Sequence, residues 1–453
     1  MNAWTFDGQP GAVGDTVTLV EGNSFCLSQC GGDIVPGGAQ GVYHADTRLL
    51  SRWMLRVDDH PVEQLEVVTA EPYHARFVGR ARPRPGWTES TVLVVRDRFV
   101  GGGLREDLLL RNLSREPVGC AVSLQVDSDV ADLFEVKSGR VRPVTDVEMT
   151  PAASGLKVFS ACRTRGARIV VEPDGTPVAV TPGLLTFRLV IPPRGQWRTT
   201  IVVNPIIQGM ESAAWFPATH STERAEPARR LAEWTRNSPG LRSTNAGLVH
   251  VIRRSREDLG SLRLFDPDHP EDPPSIAAGA PWFMTLFGRD SLLTSWMTLP
   301  LDQSPALGTL RRLARLQGVK VDPLSEEEPG KIMHELRFGA YDGRSPYRGQ
   351  AYYGSVDVTP LFVMLLGELR RWGLHAEAVE ELLPHADAAL AWIEEYGGSD
   401  GFLWYERKTD RGLVNQGWKD STDGVTFRDG TIARPPIALA EVQGYVYAAY
   451  IAR

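Results

Sequence analysis

The segment WRTTIVVNP (197–205) closes a series of short, β-branched stretches, and the sequence changes character directly after it. Residues 211–236 (ESAAWFPATHSTERAEPARRLAEWTR) are polar and rich in Ala and Arg, which favours a helical connector. Apolar residues then recur with helical spacing along a helix that we expect to start near Thr244 or Asn245. Its apolar stripe consists of Leu248, Val251, Ile252, Ser255, Leu259 and Leu262. Strands followed by helices predict two domains rather than one mixed fold.

The residues before this junction are predicted to form an antiparallel β-sandwich. Gly, Pro, Asn and Asp separate their short, partly alternating apolar stretches at regular intervals, as in sandwiches and barrels. The stretch 104–127 (LREDLLLRNLSREPVGCAVSLQVD) is predicted to be a hairpin with a polar turn at Asn112 to Glu116. The predicted organisation is a sandwich domain at 1–207, a helical connector at 208–240 and a helical domain at 241–453.

Further helices are predicted after the first one in the helical domain. Long stretches rich in Gly, Pro, Asp and Tyr separate them, and loops longer than about 12–15 residues in a compact domain are usually functional. We therefore look for chemistry in these loops. The predicted helices lie at roughly 291–299, 305–316, 359–372, 376–396 and 436–452.

Composition excludes several functional classes. A net charge of -7 and a pI near 5.8 argue against nucleic acid as the main partner. The start of the chain lacks a basic stretch followed by an apolar run, and no stretch approaches ~20 apolar residues, so we expect neither a signal peptide nor a membrane span. A cytoplasmic protein is the expectation. The spacing of Cys26 and Cys30 does not indicate a zinc site, and we expect no metal and no cofactor.

The first cluster that could carry chemistry is PWFMTLFGRDS (281–291), an aromatic run that ends just before a predicted helix. Trp282 or Phe287 could stack on the face of a pyranose ring, while Arg289 and Asp290 could form bidentate hydrogen bonds with vicinal hydroxyls. The alternative is structural: Asp290 or Ser291 caps the helix, and the Arg–Asp pair only stabilises the loop.

The second cluster combines EPGKIMHELR (328–337) with YYGSVD (352–357). His334 and Glu335 lack the second His of a zinc-protease motif, so the pair is either structural or part of a binding site. The tyrosines add aromatic surface. Asp357 adds a second carboxylate, but it could equally be the N-cap of the helix that begins near Thr359.

The third cluster is GLVNQGWKDSTDGV (412–425), in which polar side chains surround one Trp and two carboxylates. Glycoside hydrolysis needs a protonated carboxyl to donate to the leaving oxygen and a carboxylate to activate water or attack the anomeric carbon. A carboxyl beside Trp418 could have the raised pKa of a general acid, whereas an inward-pointing Lys419 would oppose that shift. The alternative is an Asp-rich turn.

At these residues the chain resembles the bacterial glycogen-debranching-type amylo-alpha-1,6-glucosidases, whose catalytic domain is an α/α toroid of the six-hairpin glycosidase type. Segments from the sandwich resemble the N-terminal domain of the same proteins. The resemblance covers nearly the whole chain, and the motifs of the helical half occur in the expected order. They are PWFMTLFGRDSLLTSW (281–296), PGKIMHELR (329–337), YYGSVDVTPLFV (352–363), DGFLWYE (400–406), LVNQGWKDSTDGV (413–425) and PIALAEVQGYVYAAY (436–450), with EGNSFCLSQCGGDI (21–34) and GVYHADTRLLSRW (41–53) in the sandwich.

The resemblance implies roles for individual residues. Similar toroidal glycosidases place the acid catalyst in a Gly-Trp-Asp-type loop, which here is 417–420 with one residue inserted, so Asp420 is the expected general acid and Asp423 the second choice. Five further residues match positions expected to line the subsite for the non-reducing sugar, namely Arg289, Asp290, His334, Glu335 and Asp357. Together with Trp282, Phe287, Trp418 and Lys419 from the loop clusters, they are the residues expected to bind the substrate.

The resemblance also implies a reaction, the inverting hydrolysis of α-1,6-linked glucose in glycogen or a related α-glucan. The general base of such toroids comes from later in the barrel, and residues 241–453 provide only about half of the expected helices. We therefore expect a partial toroid whose exposed helix faces could promote association. Two alternatives stay open: a truncated, non-catalytic carbohydrate-binding relative, or a toroidal hydrolase of another α-glycoside, trehalase-like or mannosylglycerate-type. The sandwich is expected to pack on the helical part and to help shape the rim of the pocket.

Overall fold

The computed structural model of this chain describes residues 16–83, 86, 88–142, 145–172, 175–339, 351–373 and 376–453. Residues 1–15, part of the start for which we expect no signal peptide, lie outside the described residues. The strands are β1 (Thr16–Glu21), β2 (Ser24–Gln29), β3 (Gly41–His44), β4 (Thr47–Leu50), β5 (Arg52–Val57), β6 (His60–Pro61), β7 (Glu63–Thr69), β8 (His74–Arg80), β9 (Val92–Val100), β10 (Leu104–Asn112), β11 (Val118–Asp127), β12 (Val147–Ala152), β13 (Gly155–Ser160), β14 (Arg165–Val171), β15 (Val178–Thr181), β16 (Leu184–Ile191), β17 (Gln196–Ile207), β18 (Met210–Glu211), β19 (Arg263–Leu264), β20 (Ser275–Ile276), β21 (Glu335–Leu336) and β22 (Ala351–Tyr352). The helices are α1 (Leu133–Lys137), α2 (Glu226–Asn237), α3 (Ala246–Ser261), α4 (Gly288–Thr298), α5 (Ser304–Arg315), α6 (Val358–Arg371), α7 (Ala376–Tyr396) and α8 (Ala440–Ala452), with a 3-10 turn at Thr222–Arg224.

Two large antiparallel sheets share one hydrophobic core and form the sandwich. One sheet has the order β12-β13-β14-β17-β10-β9-β8-β7, with β18 paired to β17, and the other has the order β15-β16-β11-β5-β6. In β5, Trp53, Leu55 and Val57 are buried while the residues between them are more exposed, the period-two pattern of a strand with one face on a core. A third sheet, β1-β2-β3-β4, adds residues such as Leu19 and Val42 to the same core.

The predicted hairpin at 104–127 is wrong. β10 pairs with β9 and β17, whereas β11 pairs with β5 and β16, so the chain crosses from one sheet to the other between them. The buried side chain of Asn112 fixes this crossing, because its Nδ2 donates to the carbonyl oxygens of Glu116, Ile191 and Pro192. Polar turn residues serve a hairpin and a sheet-to-sheet crossing equally well, and the sequence therefore did not distinguish the two.

The helical part is built in two layers. α4, α6 and α8 are neighbours in one layer, with α6 between the other two, while α5 and α7 contact each other and pack on that layer. All of the predicted helices are present; the one predicted from Pro436 begins at Ala440. None of the helices in the described part of the chain combines the length and the apolar character that crossing a membrane requires.

The sandwich packs directly on the helical part through the short helix α1. Leu133 and Val136 of α1 form one apolar cluster with Tyr43 of β3 and with Met284 from the loop before α4. A second contact joins β1 to the end of α3, where the backbone N of Gly22 donates to the carbonyl oxygen of Ser261 at 2.8 Å. The predicted packing between the two parts is therefore present.

Several large apolar side chains of the helical part are exposed. The predicted stripe of α3 is open along its first turns, with Val251 57% exposed, and Tyr447 and Ile451 of α8 are 70% and 65% exposed. Exposed apolar surface of this kind favours contact with another molecule when it is contiguous. Association through these faces stays a prediction.

Candidate active site

The three predicted clusters meet because each precedes a helix of the same layer. The first loop leads into α4, the second into α6 and the third towards α8. Together they enclose a cavity of about 550 Å³ that α8 closes on one side with Tyr445. The cavity is lined by Ala278, Phe283, Phe287, Arg289, Asp290, Leu293, His334, Glu335, Leu413, Trp418, Asp420 and Tyr445.

The start of α4 is set by close packing rather than by a side-chain cap. Phe287 occupies the N-cap position, so the alternative that Asp290 or Ser291 is the N-cap residue is wrong; the Ser291 hydroxyl instead accepts from the backbone N of Phe287 at 3.2 Å. The backbone N of Gly288 donates to the carbonyl oxygen of His334 at 2.7 Å, which ties the first loop to the second. A Cβ at this glycine would lie 2.3 Å from the carbonyl oxygen of Met333, so only glycine permits this approach. Asp290 consequently sits in the first turn of α4 and faces the cavity.

Arg289 connects two carboxylates from different loops. Its Nη1 donates to Oδ2 of Asp357 at 2.9 Å, and its Nη2 donates to Oδ2 of Asp420 at 3.2 Å. Asp357 does occupy the N-cap position of α6, but its carboxylate makes no cap bond and accepts instead from Arg289 and from Ser355. It lies behind Arg289 and does not line the cavity itself.

The two aspartates that flank Arg289 at the cavity have raised pKa values. Burial raises the pKa of Asp420; the Arg289 guanidinium opposes this shift, and the charge of Asp290 adds to it. Burial likewise raises the pKa of Asp290 against the opposing charge of Arg289. The side chain of Asp420 keeps 32% of its surface exposed, so a proton on it can reach a molecule in the cavity. A carboxyl with these properties can act as a general acid.

A third carboxyl, that of Glu335, is held by a contact that reaches the sandwich. Burial raises its pKa, and the charge of Arg337 opposes the shift. Nε of Arg337 donates to Oε2 of Glu335 at 3.1 Å, and Nη1 of Arg337 lies 3.9 Å from Oδ1 of Asp46. The other carboxylate oxygen of Asp46 accepts from the backbone N of Phe338 at 2.8 Å. Asp46, in the turn between β3 and β4, is thus part of the contact that fixes the second loop.

His334 forms a neutral part of the wall. It is buried, and its Nδ1 has no hydrogen-bond partner among the described residues. Burial lowers the pKa of His334 well below its ordinary value, and the charges of Arg289 and Arg337 add to this shift. Its ring lies edge-on to Phe287 and to Tyr352, with centroids 5.8 and 6.1 Å apart. A neutral imidazole with one unused ring nitrogen can bond to a ligand hydroxyl.

The remaining predicted residues take different positions. Trp418 lines the cavity and is 59% exposed, which leaves its ring open to a ligand. The Nζ of Lys419 lies 5.2 Å from the centroid of this ring on the exposed side of the loop. Trp282 is outside the cavity lining and packs edge-on against Phe25 and Tyr43 of the sandwich at 6.2 and 6.3 Å.

Several residues of the cavity wall were not predicted from the sequence. Phe283 lies in the predicted first cluster, so its aromatic neighbours could have identified it. Tyr445 lies in the middle of α8, and nothing in the local pattern marks it as different from the other tyrosines of that helix. The other residues missed are Ala278, Leu293 and Leu413.

One group in the described part of the chain brings three potential metal ligands within 4.8 Å of one another, namely His269, Glu271 and Asp272. It lies in the loop before β20, away from the cavity. The carboxylate of Asp272 already pairs with Arg311 and Arg315, at 2.9 and 2.5 Å. Two guanidinium groups on the same carboxylate oppose cation binding, so the group is explained by these ion pairs.

Comparison with known families identifies the N-terminal domain. Residues 19–202 match the family described as the N-terminal domain of (some) glycogen debranching enzymes. No protein of the curated collection matches the chain. The predicted resemblance is confirmed for this domain, which is related to the N-terminal domains of glycogen debranching enzymes.

One solved structure shares the overall fold of this chain. A protein from the human microbiome, provisionally named a kojibiose phosphorylase, matches with a TM-score of 0.54 and 9% identity over 86% of this chain and 58% of its own. A bacterial glucoamylase complexed with acarbose matches with a TM-score of 0.48 and 10% identity over 88% of this chain and 61% of its own. This chain therefore spans less than two thirds of either structure. The predicted fold class, a β-sandwich followed by helices of an α/α toroid, is confirmed.

Proposed function

We propose that the chain acts on α-linked glucose as a glycoside hydrolase of the debranching type, with α-1,6 branch points of glycogen or a related α-glucan as substrate. The observation that carries the proposal is Asp420, a partly exposed carboxyl with a raised pKa in a cavity lined by aromatic side chains. The relation of the N-terminal domain to glycogen debranching enzymes supports the choice of substrate.

In this proposal Asp420 is the general acid. Burial raises its pKa and so favours its protonated form, from which it donates a proton to the glycosidic oxygen as the bond to the anomeric carbon breaks. Arg289 orients the carboxyl through the hydrogen bond from its Nη2 and stabilises the carboxylate left after the transfer. Asp357 holds the guanidinium in place from behind.

The surrounding residues are suited to a sugar ring. Trp418 and Phe287 offer apolar surface for the face of a pyranose, while His334 and Asp290 offer hydrogen-bonding groups for its hydroxyls. Hydrolysis with inversion also needs a second carboxylate that activates water from the opposite side of the ring. Asp290 and Glu335 are the other two carboxyls among the described cavity residues.

The test measures the release of glucose from a glycogen limit dextrin, from maltooligosaccharides and from trehalose, and the release of mannose from mannosylglycerate, by the purified chain. Glucose from the limit dextrin, lost in Asp420→Asn, supports the proposal. If only trehalose or mannosylglycerate is hydrolysed, the proposed substrate is wrong but the proposed reaction, glycoside hydrolysis, stands. Glucose 1-phosphate as the product in phosphate buffer would mean phosphorolysis. Binding of maltooligosaccharides without any turnover would make the chain a carbohydrate-binding protein.

A further inference from the structure

The helix α1 belongs to the sandwich but ends beside the cavity. Asp132 and Glu135 form a capping box at its start, and the carboxylate of Glu135 accepts from Nη1 of Arg163 at 2.9 Å. Leu133 and Val136 are buried in the cluster that joins the sandwich to the loop before α4. These contacts hold both ends of the helix, so its last residue has a defined position.

That last residue is Lys137. Its Nζ lies 4.1 Å from the ring centroid of Phe283, which lines the cavity. Burial lowers the pKa of Lys137 to about 8, and the charge of Arg337 adds to the shift, while the charges of Asp420 and Glu335 oppose it. Lys137 is not itself among the residues that line the cavity, but three residues that do line it, Phe283, Glu335 and Asp420, interact with its ammonium group.

We propose that Lys137 is a substrate-binding residue that the sandwich domain supplies to the cavity, where its ammonium group donates hydrogen bonds to the hydroxyls of a neutral oligosaccharide beside Asp420. This inference rests on the proposed function, because it uses the same cavity and the same class of substrate. An ammonium group next to an aromatic face combines the donor and the apolar surface that sugars require.

The charges around Lys137 favour a neutral ligand over an anionic one. Asp290, Glu335 and Asp420 surround the same cavity, and a ligand phosphate or carboxylate would meet these carboxyls at close range. The consequence for the architecture is that the active site spans both domains, and the sandwich takes part in substrate binding.

The experiment measures the Kd of maltotetraose by calorimetry for the unaltered chain, Lys137→Met and Lys157→Met. Methionine keeps the unbranched apolar stem and removes the charge. Lys157 is a matched control, because its Nζ lies 5.3 Å from the Phe159 ring centroid at the exposed position of β13 in the sandwich. We expect about tenfold weaker binding for Lys137→Met, the size of one hydrogen bond from a charged donor. Lys157→Met should bind like the unaltered chain.

A pH profile separates a binding role from a structural one. Removing the ammonium charge should raise the pKa of Asp420, so the alkaline limb of the hydrolysis rate should move to higher pH in Lys137→Met. A residue that only supports folding would not move this limb. If Lys137→Met does not fold, the lysine side chains of the unaltered chain can be acylated with and without maltotetraose. Maltotetraose should slow the acylation of Lys137 and leave that of Lys157 unchanged.

The outcomes distinguish this inference from the proposed function. Equal Kd values for all three proteins, or no protection of Lys137, overturn the role of Lys137 and leave hydrolysis at Asp420 untouched. Weaker binding by Lys137→Met, without hydrolysis by any of the proteins, supports Lys137 and overturns the hydrolase. The absence of maltotetraose binding by the unaltered chain overturns the role of Lys137, and the product-release assays then decide on the hydrolase separately.

Discussion

The guanidinium of Arg289 lies 2.9 Å from the carboxylate of Asp357 on one side, and on its other side it reaches the candidate acid Asp420. Asp357 is almost completely buried, whereas Asp420 opens to the cavity. The buried pair therefore fixes the orientation of a guanidinium whose second donor meets the candidate acid. Stability and the proposed catalysis depend on the same side chain.

Replacing Arg289 with Met should reduce the free energy of unfolding by about 3–5 kcal/mol, because it leaves the carboxylate of Asp357 buried without its main partner. Urea denaturation measures the change. The control is Arg80→Met, which breaks the exposed pair between Arg80 and Glu63 and should have little effect. Equal stability of Arg289→Met and the unaltered chain would show that the buried pair contributes nothing.

Asp420→Asn should lower the hydrolysis rate by about 100-fold or more while the chain stays folded, since Asn keeps the shape of the side chain but cannot donate the acidic proton. The control is Asp423→Asn, three positions further along the same loop and exposed. It should keep most of the activity. The opposite pattern, with Asp423→Asn inactive and Asp420→Asn active, would transfer the role of general acid to Asp423.

Gly288→Ala should destabilise the chain by about 1–3 kcal/mol, because the new methyl group would collide with the carbonyl oxygen of Met333 and a methyl group of Val358. The same displacement would move Arg289 and lower activity. Gly279→Ala, in the loop before α4 but with open space around its Cα, serves as the control. Thermal unfolding and glucose release of both variants decide whether the close approach matters.

The sequence predicted the order of domains and the positions of the helices because these depend on local patterns. Gly, Pro and Asp punctuate the strands, and apolar residues recur with helical spacing after 240. The pairing of strands depends on residues far apart in the chain, and the polar turn after Asn112 carries no information about it. The predicted hairpin at 104–127 failed for that reason.

In the candidate site, too, the residue types of each loop could be predicted from the sequence, but contacts between distant segments could not. The aromatic and acidic residues of the three loops are visible in the sequence, and the structure brings Phe287, Arg289, His334 and Asp420 together. Trp282 has the same aromatic signal but faces the sandwich, since Phe25 and Tyr43 lie there. Contributions from another domain, such as that of Lys137, become visible only once the two domains are packed.

Glu21→Gln should flatten the dependence of stability on pH. Glu21 lies buried where β1 meets the end of α3, and burial raises its pKa from 4.5 to about 8, against the opposing charges of Arg263 and Arg230. The folded chain thus keeps a proton that the unfolded chain releases, and the free energy of unfolding should fall as pH rises from about 4.5 to about 8. Glutamine stays neutral at every pH, so the contribution of residue 21 to this fall should be absent from Glu21→Gln. Urea denaturation at pH values from about 4.5 to about 8 measures the difference. The control is Glu66→Gln, on the exposed strand β7, in which the free energy of unfolding should fall with pH as steeply as in the unaltered chain. If the free energy of unfolding of Glu21→Gln falls just as steeply, Glu21 is ionised in the folded protein and its charge is balanced by Arg263 and Arg230.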